Sequence, residues 1–204
     1  MNTPQLAFVV GSFNRPGRMR TCLASLIDQT FTDIEIVVTD NSDDPECRRK
    51  IEELCKVDER IRYEWTHDRA LTNFPRVSIP SLYDAAEIGV KMTTAPWLAF
   101  PNCDSYACPW FAERMLIHAE FHNLEFCYCD FVQGRPDVPH HFFDSYPEAC
   151  RIDKTNFIMK REWFPEEWPG KVEMYGVADG LLVNYLVAKG IRHGKNAQVM
   201  IVHN

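Results

Sequence analysis

Three short polar segments carry the side chains that could do chemistry in this chain. They are residues 11–16, 40–44 and 102–105, and each follows a short apolar run of the kind that forms a buried strand. Asp, Asn and Ser are common turn formers, so one such segment alone would indicate only a turn. In an open parallel sheet, however, ligands bind beyond the carboxyl ends of the strands. Three polar segments at one edge, with acids in two of them, therefore favour a ligand site there.

The apolar pattern around these segments predicts the elements that bring them together. It predicts strands over 6–10, 34–39, 61–65, 97–100, 126–132, 156–159 and 199–202, and helices over 17–29, 46–57, 81–92, 110–122 and 178–189. Their alternation predicts a parallel sheet with right-handed crossovers. Gly190 is typical of the residue that ends a helix. Residues 66–80 and 134–150 have no clear period, and we interpret them as long loops.

Composition excludes several other classes of protein. The 204 residues suit one domain, and 46% hydrophobic residues are enough for an ordinary core. The net charge of −7 argues against a large basic surface for nucleic acid, although it allows a local basic pocket. No apolar run reaches the roughly 18 residues of a membrane span, and residues 1–5 lack a secretory signal, so we expect a cytoplasmic protein. The 8 cysteines form no Cys-x-x-Cys pair, which favours reduced thiols over zinc or disulfides.

Three pieces of sequence, taken together, carry a resemblance to a known family. They are VVGSFNRP at 9–16, CLxSLxxQTF at 22–31 and EIVVxDNS at 35–42. At this spacing they resemble the amino-terminal signature of the family 2 glycosyltransferases, which are inverting enzymes. The resemblance implies the GT-A fold, an α/β domain similar to a Rossmann fold, whose open and mainly parallel mixed sheet is flanked by helices. It also implies a single domain over 1–204, with a nucleotide-sugar half at 1–105 and an acceptor half at 106–204.

The resemblance also implies which residues bind the nucleotide-sugar donor. The loop of Ser12, Phe13, Asn14 and Arg15 matches the family's donor-base loop. Asp40 matches the acid that binds the uracil or ribose of the donor. A carboxylate suits that role because it accepts hydrogen bonds from a ribose hydroxyl or an imide N–H.

Residues 102–104 fall where the family has its Asp-x-Asp metal motif. The resemblance implies that Asn102 and Cys103 contact the donor, and that Asp104 binds Mn²⁺ or Mg²⁺ on the donor's diphosphate. His203 matches a late histidine that several GT-A enzymes use as a metal ligand, although a surface histidine is an equal alternative. This chain departs from the motif because Asn102 replaces the first acid and supplies no charge. We therefore expect weaker metal binding than in a full motif.

A base must take the proton of the acceptor hydroxyl in an inverting transfer. Family members place this acid at the start of a helix in the second half, and Asp179 is the matching residue. The alternative role for Asp179 is that of a helix N-cap.

The resemblance therefore implies metal-assisted transfer of a sugar from a nucleotide-sugar donor, with UDP as the expected nucleotide. One alternative is a donor-binding module without turnover, for which Asn102 is the only hint. Another is a nucleotidyltransferase, but residues 11–16 hold one Gly and one Arg, unlike the Gly-rich basic loop of such enzymes. The acceptor stays open between a glycan, a lipid-linked sugar, a protein, a small molecule and a modified base in DNA. We expect residues 134–150 to help select it, because variable loops on a rigid scaffold usually do so.

Overall fold

The amino-terminal half of the chain builds the parallel part of one mixed sheet. The structure is a computed structural model that describes residues 3–66, 82–135, 138–170 and 178–203. Strand β1 pairs in parallel with β2 and β4, and β2 pairs in parallel with β3. These elements are β1 (Leu6–Ser12), α1 (Pro16–Ile27), β2 (Ile34–Asp40), α2 (Pro45–Cys55), β3 (Ile61–Trp65), α3 (Leu82–Met92) and β4 (Trp97–Ala99). The predicted strand–helix alternation is confirmed here, and the predicted loop at 66–80 lies almost wholly outside the described residues.

The second half extends the same sheet with both strand directions. Its elements are β5 (Ser105–Ala107), α4 (Phe111–Phe121), β6 (Phe126–Arg135), β7 (Val138–Phe143), β8 (Phe157–Lys160), α5 (Ala178–Ala188) and β9 (His193–His203), with 3-10 turns at Lys154–Asn156 and Arg161–Trp163. The strand order is β3-β2-β1-β4-β8-β6-β9-β5, with β7 beside β6. Strand β8 runs antiparallel to β4 and β6, whereas β6 and β9 are parallel. The carboxyl ends of β1, β2, β4, β6 and β9 therefore lie at one edge.

Three strands differ from the sequence prediction. Strand β7 lies within residues 134–150, so the prediction of a structureless loop there was wrong. Its proline is tolerated because, among the described strands, β7 pairs only with β6 and is an edge strand, where a missing N–H costs little. Strand β9 begins at His193 rather than at 199, because its polar first half is largely exposed and has no apolar alternation. Strand β5 has only three residues and was not predicted.

Alternate side chains of the central strands feed two cores, one on each face of the sheet. Leu6, Phe8 and Val10 pack with α1, α2 and α4 on one face. Ala7 and Val9 pack with α3 and α5 on the other, as the two-residue period of a strand requires. Helix α5 ends close to Gly190, whose φ of +73° confirms the predicted helix-ending glycine. No helix in the described ranges is both long and apolar enough to cross a bilayer.

Candidate functional site

The three predicted polar segments meet at the carboxyl edge of the sheet. Ser12, the last residue of β1, is in register with Asp40, the last residue of β2. Gly11 forms a bridge with Asn102, in the segment that follows β4. The predicted meeting of these segments is therefore present, and the binding of a ligand there stays a prediction.

Asn14 ties the first polar segment to the second. Its backbone N–H donates to Ser42 Oγ at 2.9 Å, its Nδ2 donates to Asp43 Oδ1 at 2.5 Å, and its Oδ1 accepts from the N–H of Asp44 at 3.2 Å. Its φ of +52° is a left-handed conformation, which Asn adopts more readily than most residues. The side chain of Asn14 thus shapes the site by joining two loops, and its predicted contact with the donor stays a prediction.

Asp40 is enclosed by the protein at the end of β2. It is fully buried, and its Oδ1 accepts from the N–H of Ser42 at 3.1 Å and from Ser42 Oγ at 2.6 Å. Its Oδ2 accepts from Tyr63 Oη at 3.0 Å. Burial raises the pKa of Asp40, and the hydrogen bonds from Ser42 and Tyr63 oppose that rise. The carboxylate therefore holds the turn at 40–42 in shape, and its contact with a nucleoside stays a prediction.

Sequence reasoning missed two aromatic residues that support this turn. Tyr63 and Trp65 are two residues apart on β3, so both side chains lie on the same face of the sheet. Trp65 Nε1 donates to the carbonyl of Ser42 at 2.9 Å, and the guanidinium of Arg48 lies 4.0 Å from the Trp65 ring centroid. The signal that could have found them is their position at the carboxyl end of a predicted strand.

Asp104 lies between two arginines of the first polar segment and α1. Its Oδ2 accepts from Arg15 Nη1 at 3.1 Å and from Arg18 Nη1 at 2.8 Å. The Asp104 side chain is 12% exposed, whereas the two arginine side chains are 54% and 53% exposed. Two guanidinium charges beside one carboxylate leave this point of the edge positive. Sequence reasoning missed Arg18, whose distance of 86 residues from Asp104 leaves no local signal.

The other predicted metal ligand, His203, ends strand β9, which pairs with the strand β5 that begins directly after Asp104. It is in register with Ser105, and its Nδ1 lies 3.0 Å from Ser105 Oγ. Within the ranges that the structure describes, no three His, Cys, Asp or Glu side chains gather as a metal site. Asn102 supplies no charge, and the Asp104 carboxylate already forms ion pairs with Arg15 and Arg18. In this arrangement the residues do not fit a resident divalent cation, and the roles of Asp104 and His203 as metal ligands stay predictions.

The remaining residues predicted to bind the donor differ in how far their side chains are exposed. Phe13 and Asn102 are half-buried at the edge. The side chain of Cys103 instead packs into the core on the α1 face, and burial together with the nearby Asp104 raises the pKa of its thiol to about 11. The structure therefore does not present the Cys103 side chain to a ligand, because an apolar thiol is more stable in the core. Ser12 Oγ is buried, with no hydrogen-bond partner among the described residues.

Asp179, the predicted base, occupies the first turn of α5. Its Oδ2 accepts from the N–H of Lys154 at 3.2 Å, while its buried Oδ1 has no hydrogen-bond partner within the described chain. Burial raises the pKa of Asp179 to about 6, and the neighbouring Asp153 adds to the rise. The charge and backbone N–H of Lys154 and a side-chain hydrogen bond from Tyr83 to the carboxyl group lower the pKa and so oppose this rise. The recorded hydrogen bond goes to a residue outside α5, which is not the pattern of an N-cap.

Lys154 connects the predicted base with the donor edge. The residue is buried, and its Nζ donates to the carbonyl of Phe100 at 3.3 Å. Phe100 lies two residues before Asn102, so a single lysine reaches from Asp179 to the segment that follows β4. The backbone at Gly180 packs closely against Ala149, because a Cβ on residue 180 would lie 2.2 Å from Ala149 Cα. These contacts bring the predicted base close to the predicted donor segments.

The chain is similar in sequence to known glycosyltransferases. Residues 7–71 match the model of "Glycosyl transferase family 2". The uncharacterized glycosyltransferase EpsJ of Bacillus subtilis (strain 168) is 24% identical over 134 residues, which cover 66% of this chain and 36% of that protein. A GalNAc(5)-diNAcBac-PP-undecaprenol beta-1,3-glucosyltransferase of Campylobacter jejuni is 33% identical over 60 residues, or 29% of this chain and 19% of that protein.

Two solved structures have the same fold. Residues 1–349 of S. aureus TarS align with a TM-score of 0.70 and 16% identity, covering 98% of this chain and 60% of that one. The mannosyltransferase PcManGT of Pyrobaculum calidifontis, solved with GDP-Man and Mn²⁺, aligns with a TM-score of 0.70 and 13% identity, covering 100% and 57%. These likenesses confirm the predicted α/β fold with a mixed sheet flanked by helices.

The fold is an α/β domain of the GT-A type. The chain is similar to the family 2 glycosyltransferases over residues 7–71, as its amino-terminal sequence predicted. It spans about a third of the length of EpsJ and 60% or less of the two solved chains. Its own activity, donor and acceptor are therefore proposals.

Proposed function

We propose that this chain transfers a sugar from a nucleotide-sugar donor, with a UDP-sugar as the expected donor, to an acceptor hydroxyl with inversion. The observation that carries the proposal is Asp179, a carboxylate with a raised pKa and a buried oxygen that no described group satisfies. Such an unpaired acceptor is costly unless it serves a purpose, and accepting a proton is one. Lys154 ties this carboxylate to the segment that leads into Asn102.

The donor side of the proposal rests on the edge where Ser12, Asp40 and Asn102 meet. Relatives of the same fold support a nucleotide-sugar there, because TarS has been solved with UDP-GlcNAc and with UDP, and PcManGT with GDP-Man. In the proposal, Phe13 and Arg15 join this edge in contacting the donor. The buried Asp40 acts chiefly through the turn that it holds, which Tyr63 and Ser42 also support.

The chemistry assigned to Asp179 is general base catalysis. The acceptor oxygen attacks the anomeric carbon while its proton passes to the Asp179 carboxylate, and the bond from that carbon to the diphosphate oxygen breaks. The electron pair of the broken bond leaves with the nucleoside diphosphate. A pKa of about 6 suits this role, because the group is ionised at pH 7 yet still basic enough to take a proton.

The competing proposal is a module that binds the donor without turnover. An ionised Asp179 with an unpaired oxygen favours the enzyme, because a binding module gains nothing from that unfavourable burial. For phosphate binding, the alternative is that Asp104 and His203 hold Mn²⁺ or Mg²⁺, as the family resemblance implies.

A two-part experiment tests the proposal. Calorimetric titration with UDP, GDP and dTDP first identifies the nucleotide, and release of that nucleotide from its sugars is then followed with a panel of acceptors. We expect Asp179→Asn to keep nucleotide affinity and to lose about 10²–10⁴-fold in transfer rate. Asp58→Asn is the matched control, because Asp58 precedes β3 at the opposite edge of the sheet.

Two results would contradict the proposal in different ways. Failure of all three nucleotides to bind removes the donor site. Equal transfer rates in Asp179→Asn and the unaltered chain remove Asp179 as the base and leave the donor site standing.

A further inference from the structure

The charge around Asp104 is the opposite of what a metal ligand needs. Its Oδ2 is contacted by Arg15 and Arg18, at 3.1 Å and 2.8 Å. A divalent cation at this oxygen would have to displace or approach two guanidinium groups, which repel it. An anion would instead be attracted, because two positive charges face one negative charge.

We propose that Arg15 and Arg18 bind the donor's diphosphate directly, and that Asp104 is a positioning residue that holds the two guanidinium groups at the edge. The inference rests on the proposed function, because the ligand is the diphosphate of the same nucleotide-sugar. It departs from the metal-assisted arrangement that the family resemblance implies.

The geometry of the two arginines suits a phosphate group. Each is seen to use one Nη atom on Asp104, and a guanidinium carries five N–H donors in a planar fork that matches phosphate oxygens. Both side chains are about half exposed and therefore within reach of a ligand. Arg15 is the N-cap of α1 and Arg18 lies in its first turn, and both guanidinium groups reach the same oxygen of Asp104, so they lie side by side.

Two further features of the same edge favour an anion. Helix α1 has 12 residues, and its amino end, where the helix dipole is positive, has no acid in its first turn to compete with a phosphate. Ser12 Oγ, three residues before Arg15, is a buried hydroxyl with no partner among the residues described. Buried polar groups are normally hydrogen-bonded, and a ligand is one explanation for an exception.

The test measures UDP and uridine affinity in EDTA and in Mn²⁺ by calorimetry. We expect UDP to bind in EDTA, with an affinity that Mn²⁺ raises by less than about threefold. Arg15→Ala and Arg18→Ala should each lower UDP affinity in EDTA by about tenfold or more, the usual range for a hydrogen bond between charged groups. Uridine affinity should stay within about threefold, because uridine has no phosphate.

Three variants sharpen the test. Arg20→Ala is the matched control, because Arg20 is exposed on the same helix but does not contact Asp104 in the recorded ion pairs. Arg18→Lys keeps the charge and loses the fork, so an intermediate loss of UDP affinity is expected. Asp104→Asn separates the two accounts: loss of a metal ligand would remove the gain in UDP affinity on adding Mn²⁺ and leave affinity in EDTA unchanged, whereas loss of a positioning residue would lower UDP affinity equally in EDTA and in Mn²⁺.

The outcomes distinguish this inference from the proposed function. UDP binding that requires Mn²⁺ and disappears in Asp104→Asn overturns the arginine site and leaves the glycosyltransferase proposal intact. An equal loss of uridine and UDP affinity in the arginine variants also overturns it, because the effect would not be at the phosphates. If the unaltered chain binds no nucleotide in EDTA or in Mn²⁺, the proposed function fails as well.

Discussion

Replacing Asp179 by asparagine should make the chain more stable while removing its transfer activity. The side chain keeps its shape, and its amide oxygen can still accept the hydrogen bond from the N–H of Lys154. The variant loses the negative charge, which burial and Asp153 make unfavourable in the folded chain. A residue kept for packing alone would not show this opposition between stability and activity.

The size of the effect follows from the shift in the pKa of Asp179. A rise from 3.8 to about 6 is roughly two units, and each unit corresponds to about 1.4 kcal/mol. Full loss of the charge would therefore stabilise the folded chain by at most about 3 kcal/mol at pH 7. Because the residue is partly exposed, we expect a gain of about 1–3 kcal/mol, and each kcal/mol should raise the Tm by about 2–4 °C in a chain of this size.

The gain should depend on pH in a defined direction. Between about pH 4 and pH 6 the folded chain holds a proton on Asp179 that the unfolded chain has already lost, so the unaltered chain gains stability as the pH falls through this window. The asparagine variant has no such proton. The difference in unfolding free energy between the two chains should therefore be full above pH 6 and vanish below pH 4, as measured by urea denaturation across that range.

Asp58→Asn supplies a control of opposite sign. The hydrogen bond from Arg60 lowers the pKa of Asp58, so removing this charge should reduce stability at pH 7 and leave transfer unchanged. The reasoning about Asp179 is refuted if Asp179→Asn is less stable than the unaltered chain at pH 7, or if its stability difference does not change with pH.

Three further predictions concern the same site. The transfer rate should fall about tenfold per pH unit below pH 6, as Asp179 is protonated, and a pH–rate profile with a saturating donor checks this. Gly180→Ala places a Cβ 2.2 Å from Ala149 Cα, so it should displace the first turn of α5 and lower kcat while UDP affinity by calorimetry changes little. Asn14→Ala removes the hydrogen bonds to residues 43 and 44 and leaves a φ of +52° strained, so UDP affinity should fall and urea denaturation should show a loss of about 1–3 kcal/mol.

The parallel half of the fold could be predicted from the sequence because its signals are local. Each buried strand there is a short apolar run, and each helix has an apolar face, so position along the chain is enough to assign the element. The predictions failed for strands that pair with neighbouring strands although their side chains are largely exposed. Strand β9 is held by neighbouring strands on both sides although its first half is polar, and β7 is an edge strand with a proline. Such strands depend on partners that are distant in sequence.

The site was predictable to the extent that its residue types share one edge. Ser12, Asp40 and Asn102 meet there because parallel strands end together. What each side chain contacts was not predictable. Asp40 turned out to be enclosed by Ser42, in the same turn, and by Tyr63, on the neighbouring strand β3 and 23 residues away in sequence.

Asp104 shows why residue type and position are insufficient to assign a role. In the sequence it stands where a metal ligand belongs, and a carboxylate there is chemically suitable for Mn²⁺. The role of a carboxylate depends on its partners, however, and Arg15 and Arg18 precede it by 89 and 86 residues. The loss of the first acid at Asn102 removes one charge that a metal would need, while the two arginines supply the charge that a diphosphate would otherwise take from a metal. The two changes are consistent with each other. The effect of Asp104→Asn on UDP binding, compared in EDTA and in Mn²⁺, therefore separates a metal ligand from a residue that positions the two arginines.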